Sequence, residues 1–140
     1  MADFDYLPAG FITPSPGTIG STRPIHNSGT LATGALALNK TSRICRVPRG
    51  FVLTGVRFRM GDGDSNGAPA LVIKIGDDGD DDRILTTNTV GQAGGEVTAL
   101  ADAGFLYEFT EDTDIILTAS TAAATAQAAA FKIALMGYIK

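Results

Sequence analysis

The sequence contains very few of the side chains on which enzymes and disulfide-bonded proteins depend. It has one cysteine, Cys45, one histidine, His26, and no tryptophan among its 140 residues. A single cysteine cannot form a disulfide within the chain, which is typical of proteins that assemble in a reducing cytoplasm. The chain is therefore not predicted to be a secreted domain held together by disulfides.

Catalytic signatures are also missing. His26 has no partners at the spacing of a metal site, and Cys45 has no histidine beside it to activate a thiol. The glycines of Gly91–Gly95 lack the lysine of a phosphate-binding loop and the spacing of a dinucleotide-binding motif. We therefore predict that the chain is not an enzyme, that it has no catalytic residues, and that His26 and Cys45 have surface or packing roles.

Long apolar runs and a surplus of basic residues are absent as well. No run approaches the roughly 20 apolar residues that cross a membrane. The first ten residues lack the basic and apolar segments of a secretion signal. The net charge is −4 and the pI about 4.7, whereas nucleic-acid binding needs a basic surface. We expect neither a membrane nor a nucleic acid as a partner.

What the sequence does contain is alternation of apolar and polar residues with a period of two. In Phe51–Met60, for example, Phe58 and Met60 alternate with Arg57 and Arg59, as in a half-buried strand. The predicted strands are Thr30–Leu38, Ser42–Val47, Phe51–Met60, Ala70–Gly76, Arg83–Thr87, Phe105–Thr110, Asp114–Ser120 and Ala129–Ile139. Many short strands and 17 glycines indicate an all-β protein, either a β-sandwich or a barrel.

Two segments combine helical and non-helical signals. Ser120–Ala130 is rich in alanine, the best helix former, but it has no apolar stripe and lies between two strong strands. We predict that it forms strand ends and a loop. Gly91–Gly104 opens with glycines and leaves room for one helical turn around Val97–Ala101.

The first 29 residues differ from the rest and are predicted to form an extended N-terminal arm. Pro8, Pro14, Pro16 and Pro24 exclude a helix or a central strand there. We predict two regions, a Pro/Gly-rich arm (residues 1–29) and a β-sandwich domain (residues 30–140), with the arm lying along its own body or a neighbour's. The arm residues predicted to contact neighbouring subunits are Phe4, Tyr6, Phe11, Ile12 and Ile19.

The charges are separated along the chain. Most of the basic residues lie between positions 40 and 59, and the acids lie mainly at 62–82 and 102–114. If these zones occupy opposite sides of the fold, neighbouring subunits can dock acidic to basic. The alternative is that both zones are solvated surfaces. The candidates for a basic docking face are Arg43, Arg46, Arg49, Arg57 and Arg59.

One acidic stretch resembles half of a calcium loop. Asp62, Asp64 and Asn66 match the first ligand positions of an EF-hand, but position 12, which needs a bidentate glutamate, is Ile73. A looser calcium site on these three residues stays open, and no other cofactor is expected. The pattern favours the alternative that this stretch and Asp77–Asp82 are acidic tips of β-hairpins, because aspartate, asparagine and glycine favour tight turns.

Four motifs between Arg46 and Lys140 carry a resemblance to a known group of proteins. They are the Pro-x-Gly strand start at Pro48, "DGDSNGAPALVIKIGD" from Asp62, "TTNTVGQAGG" from Thr86, and "EDTDIILTAST" followed by a strand that closes on "GYI". With these motifs the chain resembles small structural proteins of tailed-bacteriophage virions. The resemblance implies a β-sandwich with a jelly-roll-like fold.

The resemblance also implies a function. We expect a structural virion protein, a capsid decoration or cement protein that binds the head surface and stabilises the shell. Its expected partners are the major capsid protein or other virion proteins, its expected state is a homotrimer, and its expected location is the capsid surface after assembly in the host cytoplasm. The alternative is a head- or tail-fibre-associated module that binds carbohydrate or a receptor, although the absence of tryptophan and the 7% aromatic content disfavour sugar recognition.

Overall fold

The computed structural model of the protein describes residues 2–7 and 24–140. Within these residues the chain forms nine β-strands and two short 3₁₀ helices, Thr33–Leu36 and Val90–Gln92. The strands are β1 (Phe4–Asp5), β2 (Ile25–Leu31), β3 (Thr41–Val47), β4 (Phe51–Met60), β5 (Val72–Gly76), β6 (Leu85–Asn88), β7 (Gly95–Val97), β8 (Thr113–Thr121) and β9 (Ala129–Ile139).

The strands build two sheets packed face to face, so the predicted all-β sandwich is confirmed. One sheet has the order β1-β3-β8-β5-β6 and the other the order β2-β9-β4-β7. β1 runs parallel to β3, and the other pairs are antiparallel. From β2 onward every connection crosses between the sheets except the hairpin β5–β6, and these crossings tie the two layers together.

The core lies between the sheets and follows from the alternation in the sequence. β9 alternates buried and more exposed residues along its whole length, and β4 does so from Val56 to Met60. The largest inward side chains are Phe51, Phe58, Phe109 and Phe131, each at most 2% exposed. Complete burial of such a side chain stabilises a fold by roughly 2 kcal/mol. These inward rows therefore supply the main driving force for closing the sandwich.

The first strand of the predicted sandwich domain begins five residues earlier in the chain than predicted. The structure has a strand at Ile25–Leu31 and a 3₁₀ helix at Thr33–Leu36, whereas the alternation indicated one strand over Thr30–Leu38. β2 pairs with β9 along all of its seven residues, so residues 25–29 of the predicted arm lie within the sandwich. β2 is an edge strand, which agrees with the exclusion of a central strand at this proline-rich end.

Three predicted segments also differ from expectation. The stretch between β4 and β5 crosses from one sheet to the other and is not a hairpin tip, whereas the acidic connection between β5 and β6 is a hairpin as predicted. Phe105–Thr110 forms turns and one isolated bridge, Val52 to Glu108, instead of a strand. The region considered for a helical turn, Val97–Ala101, contains the end of β7 and no helix.

Candidate interaction surfaces

The described part of the arm, residues 2–7, is fixed to the edge of the sandwich. β1 pairs with β3, and the Asp5 carboxylate forms an ion pair with Arg43. The side-chain hydrogen bond from Arg43 is the main reason why the pKa of Asp5 lies below its usual value. Asn27 donates to the carbonyl oxygens of Tyr6 and Ile44, at 3.1 and 2.9 Å, and thereby ties the segment to both sheets.

The aromatic residues of this segment pack on the chain's own body. The Tyr6 ring meets Phe131 edge-on at 5.7 Å, and its hydroxyl oxygen accepts the Ala32 N–H at 2.9 Å. Phe4 stacks beside Tyr6 at 6.5 Å and lies against Gly34. Of the two placements predicted for the arm, its own surface and a neighbour's, the first is the one observed for these rings.

The rest of the predicted arm contacts cannot be placed in the same way, because Phe11, Ile12 and Ile19 lie outside the described residues. Their contacts with neighbouring subunits stay a prediction. Leu7 and Pro24, the described residues on either side, belong to segments anchored by β1 and β2 respectively.

The five arginines predicted as one basic docking face are divided between opposite faces of the sandwich. Arg43 and Arg46 lie on β3 and Arg57 and Arg59 on β4, and these two strands belong to different sheets. Arg49 is in the turn between these strands, where its backbone N–H donates to the Asp112 carboxylate at 3.0 Å. Whichever partner these residues bind, they cannot all meet it on one flat surface.

On the five-stranded sheet the arginines are partly neutralised. Arg43 and Arg46 both approach the Asp114 carboxylate, each at 3.4 Å, and Arg43 also pairs with Asp5. On the four-stranded sheet Glu96 is the acid that pairs with both arginines, Arg57 at 2.6 Å and Arg59 at 4.0 Å. The four-stranded sheet therefore keeps the larger excess of positive charge.

The outer face of the four-stranded sheet contains a shallow groove of about 450 Å³. We call it the basic groove, and its lining includes His26, Ser28, Arg57, Arg59, Lys132 and Ala134. Ala134 is paired with His26 on one side and Arg57 on the other, and this small residue between two long ones creates the depression. Neither Lys132 nor His26 was predicted to belong to the basic docking face, although the alternation in β9 places Lys132 on the outer face of its sheet.

The three predicted calcium ligands accept hydrogen bonds from backbone N–H groups. Asp64 is only 1% exposed, and its two carboxylate oxygens accept five backbone N–H groups. The donors are Asn66, Ala70, Leu71, Ala124 and Thr125, at 2.7 to 3.3 Å. The carboxylate thus joins the β4–β5 connection to the β8–β9 connection.

The environment of Asp64 favours its ionised form. Burial by itself raises the pKa of a carboxyl group, but the backbone donors, with Thr125 the strongest, outweigh it and hold the pKa of Asp64 well below its ordinary value. Asp62 and Asn66 each accept a backbone N–H two residues further on, at 2.9 Å, as in turns made by these side chains. All three predicted ligands are therefore already used in shaping the loop.

A second buried network, which the sequence analysis missed, holds the β5–β6 hairpin. Asp77 is 6% exposed, and one of its oxygens accepts the N–H groups of Gly79 and Asp80. The Arg83 guanidinium binds its other oxygen at 2.6 Å and lies 3.8 Å from the centre of the Tyr107 ring. This cation links the hairpin to the long connection between β7 and β8.

The tip of the same hairpin carries a cluster of carboxylates at Asp80, Asp81 and Asp82, whose oxygens lie within 4.8 Å of one another. The hydrogen bond with Asp80 raises the pKa of Asp82. Lys74 offsets part of the charge, with its amino group 2.7 Å from Asp81. The Lys74 ammonium group therefore offsets part of the repulsion among these neighbouring carboxylates.

A calcium titration tests the predicted ligands. We expect millimolar calcium to change the melting temperature by less than about 1 °C, because the oxygens of Asp64 are already occupied by N–H donors. Magnesium at the same concentration is the control. A calcium-specific rise that Asp62→Asn removes would establish the site on the predicted ligands, and a rise removed by Asp81→Asn would place it on the hairpin.

The two residues considered for catalysis lie in different sheets. Cys45 is buried on β3, and burial raises the pKa of its thiol to about 12, which disfavours a reactive thiolate. His26 is exposed on β2 in the basic groove. No helix among the described residues is long and apolar enough to cross a membrane.

Comparison with known proteins gives matches at the level of structure. No protein-family model matches the sequence, and no curated protein matches it significantly. A chain of the cyanophage Pam1 capsid asymmetric unit is similar with a TM-score of 0.76 and 27% identity, covering 93% of each chain. A chain of the capsid of Ralstonia phage GP4 has a TM-score of 0.79 and 22% identity, covering 99% of this chain and 97% of that one, and shares the fold. The predicted likeness to structural proteins of phage virions is thereby confirmed.

Proposed function

We propose that this chain is a capsid decoration or cement protein, which binds the head surface of a phage and stabilises the shell. The observation that carries the proposal is the Pam1 match, which extends over 93% of both chains, so that nearly the whole chain and not one segment resembles a capsid component. Its partners are the major capsid protein or other virion proteins, its state is a homotrimer, and it assembles in the host cytoplasm before residing on the virion.

The described structure suits a role in holding proteins together. Asp64 fixes one pair of connections and the Arg83–Asp77 pair fixes another, so the loops are pre-organised and little conformational entropy is lost when a partner binds. A net charge of −4 also disfavours adhesion to packaged DNA and suits an outer surface. These features support binding without chemical change of the partner.

In this proposal, part of the N-terminal arm binds a neighbouring virion protein. The rings of Phe4 and Tyr6 are occupied by the chain's own sandwich. The remaining apolar residues of the predicted contact set, Phe11, Ile12 and Ile19, are then the ones that contact a neighbouring virion protein. Apolar and aromatic anchors commonly contribute most of the binding energy at protein interfaces.

A capsid-binding assay tests the proposal. Purified protein is mixed with capsids that lack it, bound copies are measured after sedimentation, and the heat resistance of the particles is recorded. We expect saturable binding and a higher temperature of particle rupture. The triple variant Phe11→Ser, Ile12→Ser and Ile19→Ser is expected to bind at least roughly tenfold more weakly.

The matched control replaces three polar residues of the same segment, Thr13→Ala, Ser15→Ala and Thr18→Ala, and should bind as the unmodified protein does. If the unmodified protein does not sediment with capsids, the proposed function is wrong. If the apolar triple variant binds capsids normally, the proposed function stands and the capsid-binding residues lie elsewhere on the chain.

A further inference from the structure

An exposed apolar pair occupies a strained turn between β7 and β8. Phe105 and Leu106 are adjacent, and their exposed fractions are 59% and 53%. Leu106 has a φ of 62°, a left-handed conformation that is unusual for a bulky side chain. Its N–H donates to the Leu53 carbonyl oxygen at 2.7 Å, which holds the turn against the edge of β4. The fold therefore maintains two large apolar groups in solvent at a backbone conformation that leucine disfavours.

The segment around this pair is uniformly acidic. Residues 102–112, which we call the acidic turn, contain four acids and no lysine or arginine. The acids are Asp102, Glu108, Glu111 and Asp112. Glu108 forms an ion pair with Lys140 at 3.2 Å, in which the lysine side chain is 68% exposed and that of Glu108 39%. The acidic turn thus presents an apolar tip within a negative rim.

The basic groove has the complementary pattern. Its depression is formed by the small residues Ala134 and Ser28, and its rim by Arg57, Arg59 and Lys132. Glu96 is the acid that offsets the two arginines, so the rim keeps a net positive charge. Complementary potentials of this kind set the register and partner choice of protein interfaces.

We propose that the acidic turn of one copy docks into the basic groove of a second copy. Phe105 and Leu106 then cover Ala134 and Ser28, and the acids of the turn approach the cationic rim. Both halves of the contact are present on every chain, so the contact is head-to-tail, and it closes into a ring if the rotation between copies allows. The inference rests on the homotrimer of the proposed function, for which it supplies the interface.

Charge reversal tests the contact in solution without capsids. Association is followed by sedimentation velocity over a concentration series. We expect Arg57→Glu with Lys132→Glu to weaken self-association by roughly 100-fold, because like charges then face each other. Asp102→Lys with Glu108→Lys should have the same effect. A chain with all four substitutions exchanges the two charge patterns and should associate again.

The matched control, Lys40→Glu with Lys74→Glu, makes the same change in net charge away from both the groove and the acidic turn and should leave association unchanged. A second variant separates docking from folding. Leu106→Gly suits the left-handed conformation and should keep or raise the melting temperature. It removes an apolar anchor, however, and is expected to weaken association by about tenfold.

The inference is overturned if the unmodified chain is monomeric across the series, or if the groove variants and the control behave alike. Binding to capsids is measured separately for the same variants. A groove variant that is monomeric in solution but binds capsids normally supports this interface and shows that capsid binding does not depend on it, so the proposed function stays in place. An unmodified chain that associates through this contact but never binds capsids supports the interface and contradicts the proposed function.

Discussion

Replacing Asp64 with asparagine is expected to lower the melting temperature by on the order of 10 °C. The two carboxylate oxygens accept five backbone N–H groups from connections that are far apart in sequence. An asparagine keeps one acceptor oxygen, but its amide nitrogen is a donor and would face N–H groups that are also donors. Buried backbone groups left without an acceptor are strongly destabilising.

The control for this variant is Asp78→Asn, which removes the same charge from an exposed position in the next acidic stretch. Differential scanning calorimetry at neutral pH compares the two. The control is expected to melt within about 2 °C of the unmodified protein. Equal melting temperatures for the two variants would show that Asp64 does not organise the loops.

The same residue gives a pH dependence with a definite sign. The pKa of Asp64 is lower in the folded chain than its ordinary value of 3.8. Its contribution to stability is therefore complete above about pH 3.8 and is lost as the pH falls towards the folded pKa. We expect the difference in unfolding free energy between the unmodified protein and Asp64→Asn to be constant near neutral pH and to narrow below pH 3.8. A gap that widens on acidification would contradict the assignment.

The second large effect is expected at Arg83. Replacing it with methionine should lower the free energy of unfolding by about 3 kcal/mol, because the buried carboxylate of Asp77 is left without its cation. The Arg83 side chain is 14% exposed and that of Asp77 only 6%. The contact with the Tyr107 ring is lost as well, so Arg83→Lys should recover only part of the stability.

Lys74→Met is the matched control, since Lys74 also pairs with an acid of the β5–β6 hairpin, Asp81, but that acid is 59% exposed. An exposed pair contributes at most about 1 kcal/mol. Urea unfolding measures both variants, and the double variant Asp77→Asn with Arg83→Met should be less destabilised than the sum of its parts. If the methionine variants at Arg83 and Lys74 are equally stable, the buried pair has no special role.

The strands could be predicted from the sequence where one face is buried. Phe51–Met60 and Ala129–Ile139 begin and end at the predicted residues, since alternating burial leaves a period-two signal that needs no knowledge of the partner strand. At Thr30–Leu38 the same signal misled, because Leu31 and Leu36 are both buried but belong to a strand and a 3₁₀ helix. Burial by itself does not distinguish these two backbones.

The pairing of strands was not recoverable from local pattern. The β4–β5 connection has the composition of a hairpin tip, yet β4 and β5 lie in different sheets. The prediction that five arginines form one basic docking face did not hold for the same reason, since strand pairing decides which residues share a face. Arg43 and Arg57 are close in sequence, but β3 and β4 are on opposite layers. The partner of a strand depends on the whole set of strands, which no single segment encodes.

The roles of individual aspartates could not be predicted from the sequence either. Asp64 and Asp62 look equivalent in the sequence, but Asp64 turns inward to meet N–H groups at Ala124 and Thr125, 60 and 61 residues away. The side chain that neutralises Asp77 follows it by six residues, and the ring under that cation is Tyr107. Such long-range partners are set by the fold. Turn propensity indicated the loops correctly, but not which carboxylate is buried in them.

An electron cryomicroscopy map of the purified virion tests the central claim most directly. The account predicts density for this sandwich at symmetrically repeated positions on the outer surface of the head, in contact with other capsid proteins. A virion in which this chain is absent from the head, or is found only on the fibres, would contradict it.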